Sequence, residues 1–191
     1  VTNRCTLRCT FCPKFNGEWN VKGYPLRLHH EPSVSEMLTA AGEARQWREV
    51  VFCGLGEPTL RLYDVLETAR ELRQRGATVR LNTGGLAALV HGRDVSADLE
   101  GSFDSVSVSL NVQDEALYDT HCRPVLPGAY EAAQEFVRRV REFVPRVALG
   151  SQGEAGSKGW NAAGFTQATI AGLLGAIGAV CIIYAFRAGG L

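Results

Sequence analysis

Cys5, Cys9 and Cys12 lie within eight residues in the spacing C-x3-C-x2-C. Three thiolates on one short loop can hold three irons of a cubane [4Fe–4S] cluster, whose usual complement is four cysteines. The iron left without a protein ligand is then open to a substrate or a cofactor. Other readings of the triplet fit less well. A ferredoxin run would add a fourth cysteine nearby, whereas the next one is Cys53. A zinc finger needs a second ligand pair at a set spacing, and His29 and His30 are adjacent. Three unrelated core thiols would not be flanked by Arg4 and Arg8. No hydrophobic or arginine-rich leader opens the sequence, so clustered thiols read as metal ligands in a reducing, cytoplasmic setting rather than as disulfides.

A second set of polar and glycine residues follows strand-like runs. Glu49-Val50-Val51-Phe52-Cys53 reads as a buried strand, with Cys53 as a small core residue, and runs into Gly54-Leu55-Gly56-Glu57-Pro58. Glycines let the backbone approach a ligand closely, and Glu57 offers an anionic partner to an ammonium. Residues 78–82 form the next strand, ending in Asn82-Thr83-Gly84-Gly85. Residues 105–110 alternate, with Val106, Val108 and Leu110 on one face and Ser105, Ser107 and Ser109 on the other, followed by Asn111.

The elements that must position these groups alternate in type. A capping box at Ser33 and Glu36 opens a helix expected to reach about Gln46. Residues 63–75 carry apolar side chains at helical spacing before Gly76, and residues 130–143 form a strongly amphipathic helix closed by Pro145. Residues 146–149 read as a fifth strand. This alternation predicts an α/β fold with a parallel sheet, whose polar groups gather at the C-terminal ends of the strands. Ser107 and Ser109 are expected on the face turned away from the helices, because the helix-covered face should be apolar.

Taken together, these motifs resemble the radical S-adenosylmethionine (radical SAM) superfamily. Within it, Asn3-Arg4-Cys5, Phe11-Cys12-Pro13-Lys14, Phe52-Cys53-Gly54-Leu55-Gly56-Glu57-Pro58-Thr59, residues 80–85, His91-Gly92-Arg93-Asp94 and Thr120-His121-Cys122-Arg123-Pro124 look most like the TatD family-associated radical SAM proteins, over residues 1–149. The resemblance implies a partial parallel (β/α) barrel, truncated or altered at both ends. It implies a [4Fe–4S] cluster on Cys5, Cys9 and Cys12, and S-adenosylmethionine chelating the open iron. Phe11 would lie near the adenine, and Gly54, Gly56 and Glu57 would hold the methionine ammonium. Asn82, Ser107, Ser109 and Asn111 would contact the carboxylate and ribose. Reductive cleavage would give a 5′-deoxyadenosyl radical, fed by an external flavodoxin- or ferredoxin-like electron donor and acting on an unknown substrate. Cys122 is a candidate catalytic or auxiliary residue. Arg93 and Arg123 are candidates for binding an anionic substrate, and the four histidines read as surface or loop residues.

The remaining features bound the function. The 191 residues carry 20 basic and 20 acidic side chains, so no net charge speaks for nucleic acid, and no aromatic-basic stretch marks it either. The first residue is Val1, which suggests a fragment or a processed product, and the strand leading into the cysteine loop is short. Residues 150–167 read as a glycine-rich linker. Residues 168–186 carry no charge and read as a transmembrane or packing helix, since about 20 apolar residues span a bilayer. Two other functions stay open: a cluster-binding or electron-transfer protein without SAM turnover, and a membrane-tethered degenerate member of the family.

Overall fold

A computed structural model describes residues 1–21 and 23–150, together with the backbone of 179–181. The elements in chain order are β1 (Asn20–Val21), β2 (Tyr24–Pro25), α1 (Val34–Ala41), β3 (Glu49–Phe52), α2 (Leu62–Gln74), β4 (Val79–Thr83), α3 (Ala87–His91), β5 (Ser105–Ser109), α4 (Glu115–Cys122), α5 (Ala129–Val140), β6 (Val147–Gly150) and β7 (Ala179–Cys181). β1 and β2 form a small antiparallel hairpin. The other five strands form one parallel sheet in the order β6-β5-β4-β3-β7.

The register explains how the sheet divides its residues. Val50 pairs with Val79, Phe52 and Val106 with Leu81, and Val108 with Thr83. This row packs with Met37 of α1, Val65, Ala69 and Leu72 of α2, and Phe136, Val137 and Val140 of α5 into the main core. The alternate row holds Arg80, Asn82, Ser105, Ser107 and Ser109. It carries the Arg80–Glu49 ion pair at 2.9 Å. Polar side chains are tolerated there because this row faces away from the core that α1, α2 and α5 build on the other side. Ser107 and Ser109 thus lie on the face expected for them, each half-buried.

Several expectations change in detail. α1 stops at Ala41 rather than near Gln46, because Gly42 turns the chain at φ +60°. Cys53 lies one residue past β3 and is only half-buried, so it is not a core strand residue. The sheet is parallel as expected, and among the described residues β6 and β7 stand at its two edges without pairing into a closed barrel. The helix expected over 168–186 is not found at 179–181, which are strand and pair with Glu49, Val50 and Val51. Val180 is β-branched, and the free edge of β3 offers a ladder of donors and acceptors to such a segment. The rest of the apolar segment and all of the expected linker but Gly150 lie outside the described residues. Among the described residues, no helix is long and apolar enough to cross a membrane.

Candidate active site

The cysteine loop is strapped down on two sides. On one, the Glu57 N–H donates to the Arg4 carbonyl at 2.8 Å, tying the loop to the segment after β3. On the other, the Arg8 and Thr10 N–H groups donate to the carbonyls of Cys122 (3.0 Å) and His121 (2.8 Å) at the end of α4. The Val125 N–H also reaches the Thr6 carbonyl at 3.0 Å, and Leu7 bridges to Pro124. Cys5, Cys9, Cys12 and Cys122 are all free thiols. Cys9 and Cys122 are buried in a second apolar cluster with Leu7, Leu86, Val112, Tyr118 and Ala133, against which Cys5, Phe11 and Cys12 pack.

This environment acts on the thiols. The neighbouring Cys122 side chain, together with burial, pushes the Cys9 thiol pKa up. Burial, followed by the nearby charge of Glu57, raises Cys5 as well. Low dielectric and neighbouring negative charge both disfavour a free thiolate, so binding a metal centre here must displace protons.

The polar residues converge on the same end of the sheet, since β3, β4 and β5 are parallel. Glu57 is only 4% exposed and does more than face a ligand. Its Oε1 accepts bonds from the Thr59 N–H (3.0 Å), the Thr59 hydroxyl (2.7 Å) and the Thr83 hydroxyl (2.7 Å). Its Oε2 accepts from the Gly84 N–H at 2.7 Å. The carboxylate therefore caps the turn Pro58–Arg61 and joins the ends of β3 and β4. Gly56 is required by close packing: a Cβ there would lie 2.0 Å from the Thr2 carbonyl oxygen and 2.7 Å from that of Arg4. Gly54 is exposed at φ +146° and makes the turn out of β3. Asn111 holds a left-handed backbone at φ +68° and donates to the Ser109 carbonyl (3.2 Å) and towards the Cys122 sulfur (3.6 Å).

Three buried polar atoms at this end have no hydrogen-bond partner among the described residues: Thr6 Oγ1 on the cysteine loop, Asn82 Oδ1 and Tyr118 Oη. Buried polar groups are almost always paired, so orphans beside three free thiols mark a place where a ligand brings the missing partner. Tyr118 was not foreseen. The signal that could have found it is the Asp114 cap, whose Oδ1 accepts from the Leu117 N–H at 2.9 Å and starts α4, setting Tyr118 and Cys122 one turn apart.

The fit of a cluster follows from this donor set. Among the described residues, no three His, Cys, Asp or Glu side chains converge as they would on a single metal ion. A cubane asks for something different, because each cysteine ligates a separate iron. Three free thiols on a strapped loop, in apolar surroundings and beside unpartnered polar atoms, match that demand.

A sequence comparison fixes the family. The pattern described as the Radical SAM superfamily matches residues 1–155. The chain belongs to the radical SAM superfamily. Among curated proteins it is similar to a probable dual-specificity RNA methyltransferase RlmN of Deinococcus deserti, at 28% identity over 149 residues. That match covers 73% of this chain and 40% of the relative, so the chain spans well under half of that protein's length.

Of the other residues singled out, His29 and His30 are exposed and His91 bonds the Thr59 carbonyl at 2.9 Å. Arg93 is engaged with Asp98 and Tyr63, and Arg123 is exposed at φ +47°. One surface was missed. Arg4, Arg8, Lys14 and Arg27 gather with Phe15 and Trp19 around a cleft of about 540 Å³ that also reaches Cys5. Its residues all come from the first 27, and the β1–β2 hairpin brings Arg27 back over Trp19.

Proposed function

We propose that this chain is a radical SAM enzyme of the TatD-associated type, acting in the cytoplasm on a substrate still to be found. The observation that carries the reading is the placement of free Cys5, Cys9 and Cys12 on a loop bonded directly to the Glu57 turn, at the end of a parallel sheet. Cys5, Cys9 and Cys12 would hold the cluster, and the apolar cluster around Leu7, Leu86 and Val112 would keep water from it. When bound, the [4Fe–4S] cluster and S-adenosylmethionine supply one-electron cleavage of a sulfonium to methionine and a 5′-deoxyadenosyl radical. Phe11 would flank the adenine. Asn82 Oδ1 would accept a bond from the ammonium or a ribose hydroxyl, and Ser107, Ser109 and Asn111 would offer further contacts. Gly54, Gly56 and Glu57 would shape the ammonium site through the backbone of their turn, since the Glu57 carboxylate is already held by four protein donors.

The external electron donor, flavodoxin- or ferredoxin-like, would dock at the basic cleft beside Cys5. Within it Arg4 is neutralised by Glu31, while Arg27 stacks on Trp19 at 5.6 Å and Lys14 on Phe15 at 4.6 Å. An acidic partner would find no lining carboxylate to repel it. A second reading is a cluster-binding protein without SAM turnover, which the filled hydrogen-bonding shell of Glu57 favours.

Anaerobic reconstitution with iron and sulfide, followed by S-adenosylmethionine and dithionite, separates the two. Formation of 5′-deoxyadenosine above a Cys5/Cys9/Cys12 triple-alanine control supports the enzyme. A normal cluster spectrum without 5′-deoxyadenosine supports the second reading, and absence of a cluster in the parent chain overturns both.

A further inference from the structure

α4 lies directly behind the cysteine loop, and its last turns carry the polar atoms least accounted for. Tyr118 is fully buried, and its hydroxyl has no partner among the described residues. It belongs to the same cluster as Cys9 and Cys122, against which Cys5 and Cys12 pack. Its ring is fixed by Tyr130, with centroids 5.5 Å apart. Cys122 stands one helical turn later on the same face, also fully buried, with its sulfur approached by the Asn111 amide at 3.6 Å. The backbone bonds from Arg8 and Thr10 to the end of α4 fix the helix against the loop.

We propose that α4 sets the reduction potential of the cluster held by Cys5, Cys9 and Cys12, by presenting the Tyr118 hydroxyl and the Cys122 thiol as hydrogen-bond donors to its sulfurs. The inference rests on the cluster reading given above and names residues with no role in holding the irons. A ligand sulfur in a cubane is an acceptor, and reduction adds one electron, and so negative charge, without making or breaking a bond. Donors aimed at the sulfurs stabilise the reduced form and raise the potential. Cys122 suits this role better than that of a fourth ligand. It is buried in the same apolar cluster as Cys9, but it stands on α4 and not on the loop that carries the three clustered cysteines. The Tyr118 hydroxyl gains the partner it lacks.

The test is an EPR-monitored redox titration of the reconstituted full chain without S-adenosylmethionine, using dithionite as reductant. Tyr118→Phe and Cys122→Ala should each keep the parent's iron content and shift the reduction equilibrium about tenfold towards the oxidised form. For one electron this is a midpoint ~59 mV more negative. Cys122→Ser keeps a donor and should restore most of the parental midpoint. Tyr118→Phe removes only an orphan hydroxyl, so the cluster-free variant should melt no lower than its parent, which separates tuning from misfolding. Unchanged midpoints at full iron content would overturn the inference. Loss of iron from both Cys122 variants would also overturn it, by making Cys122 a ligand. A parent chain that takes up no cluster defeats this inference together with the function it rests on. A parent that cleaves S-adenosylmethionine while its variants keep the parental midpoint defeats this inference alone.

Discussion

At Glu57 the sequence motif and the structure assign different work to one carboxylate. The motif invites an anion aimed at an ammonium, but the side chain is buried and takes bonds from Thr59, Thr83 and Gly84. Replacing it with Gln keeps the shape and substitutes a donor for one acceptor oxygen. Whichever way the amide turns, its NH2 faces either the Thr59 or the Gly84 backbone N–H, leaving a buried donor unpaired. Glu57→Gln should therefore lower unfolding stability by about 1–3 kcal/mol in a urea titration. Unchanged stability with weakened S-adenosylmethionine binding would return Glu57 to a direct ligand role. Gly56 belongs to the same argument, because the Thr2 and Arg4 carbonyls occupy the space of any side chain. The cysteine triplet was legible as a group from spacing alone, since residues on one loop are close in sequence. Tyr118 was not, because being buried without a partner is a property only the folded chain has.

Elements were legible where a period repeats and illegible where the chain turns quickly. β3, β4 and β5 announce themselves by alternate or continuous apolar residues, and α2 and α5 by their apolar stripes. The two-residue strands β1 and β2 carry no period, and neither does the five-residue α3. α1 shows the strongest local signal in the chain. The Ser33 hydroxyl accepts from the Glu36 N–H at 3.2 Å, and Glu36 Oε2 accepts from the Ser33 N–H at 2.7 Å. Ser33→Ala should cost about 1 kcal/mol of stability. The Ser33 N–H, followed by His30, lowers the Glu36 carboxyl from its ordinary 4.5 to about 2. A folded pKa below the unfolded one stabilises the fold above the unfolded value and loses that effect as pH falls through the folded one. The stability gap between the parent and Glu36→Gln should thus be full above about pH 5 and vanish towards pH 2. A gap that stays constant over that range, followed by thermal melts, would show that the box acts without its charge.

For the whole molecule, the parallel α/β plan followed from the alternation of strands and helices, and its limits were not visible in the sequence. An uncharged run such as 168–186 meets the length requirement of a membrane helix, and composition alone cannot tell it from a strand-forming segment. The neighbour decides, because the outer edge of β3 needs a partner. Ala179, Val180 and Cys181 supply one, in register with Glu49, Val50 and Val51. β3 also leads into the Glu57 turn, which holds the cysteine loop through Arg4. Stability at that sheet edge is therefore connected to the site through a single strand. Deleting residues 168–191 should expose the β3 edge as an unpaired ladder, with two measurable results. Amide hydrogen exchange should speed up at Val50 and Val51 relative to β4 and β5, and size-exclusion chromatography should show concentration-dependent association. If the deletion leaves exchange at β3 unchanged and the protein monodisperse, β7 contributes nothing to the sheet, and the edge must be protected by its own shortness.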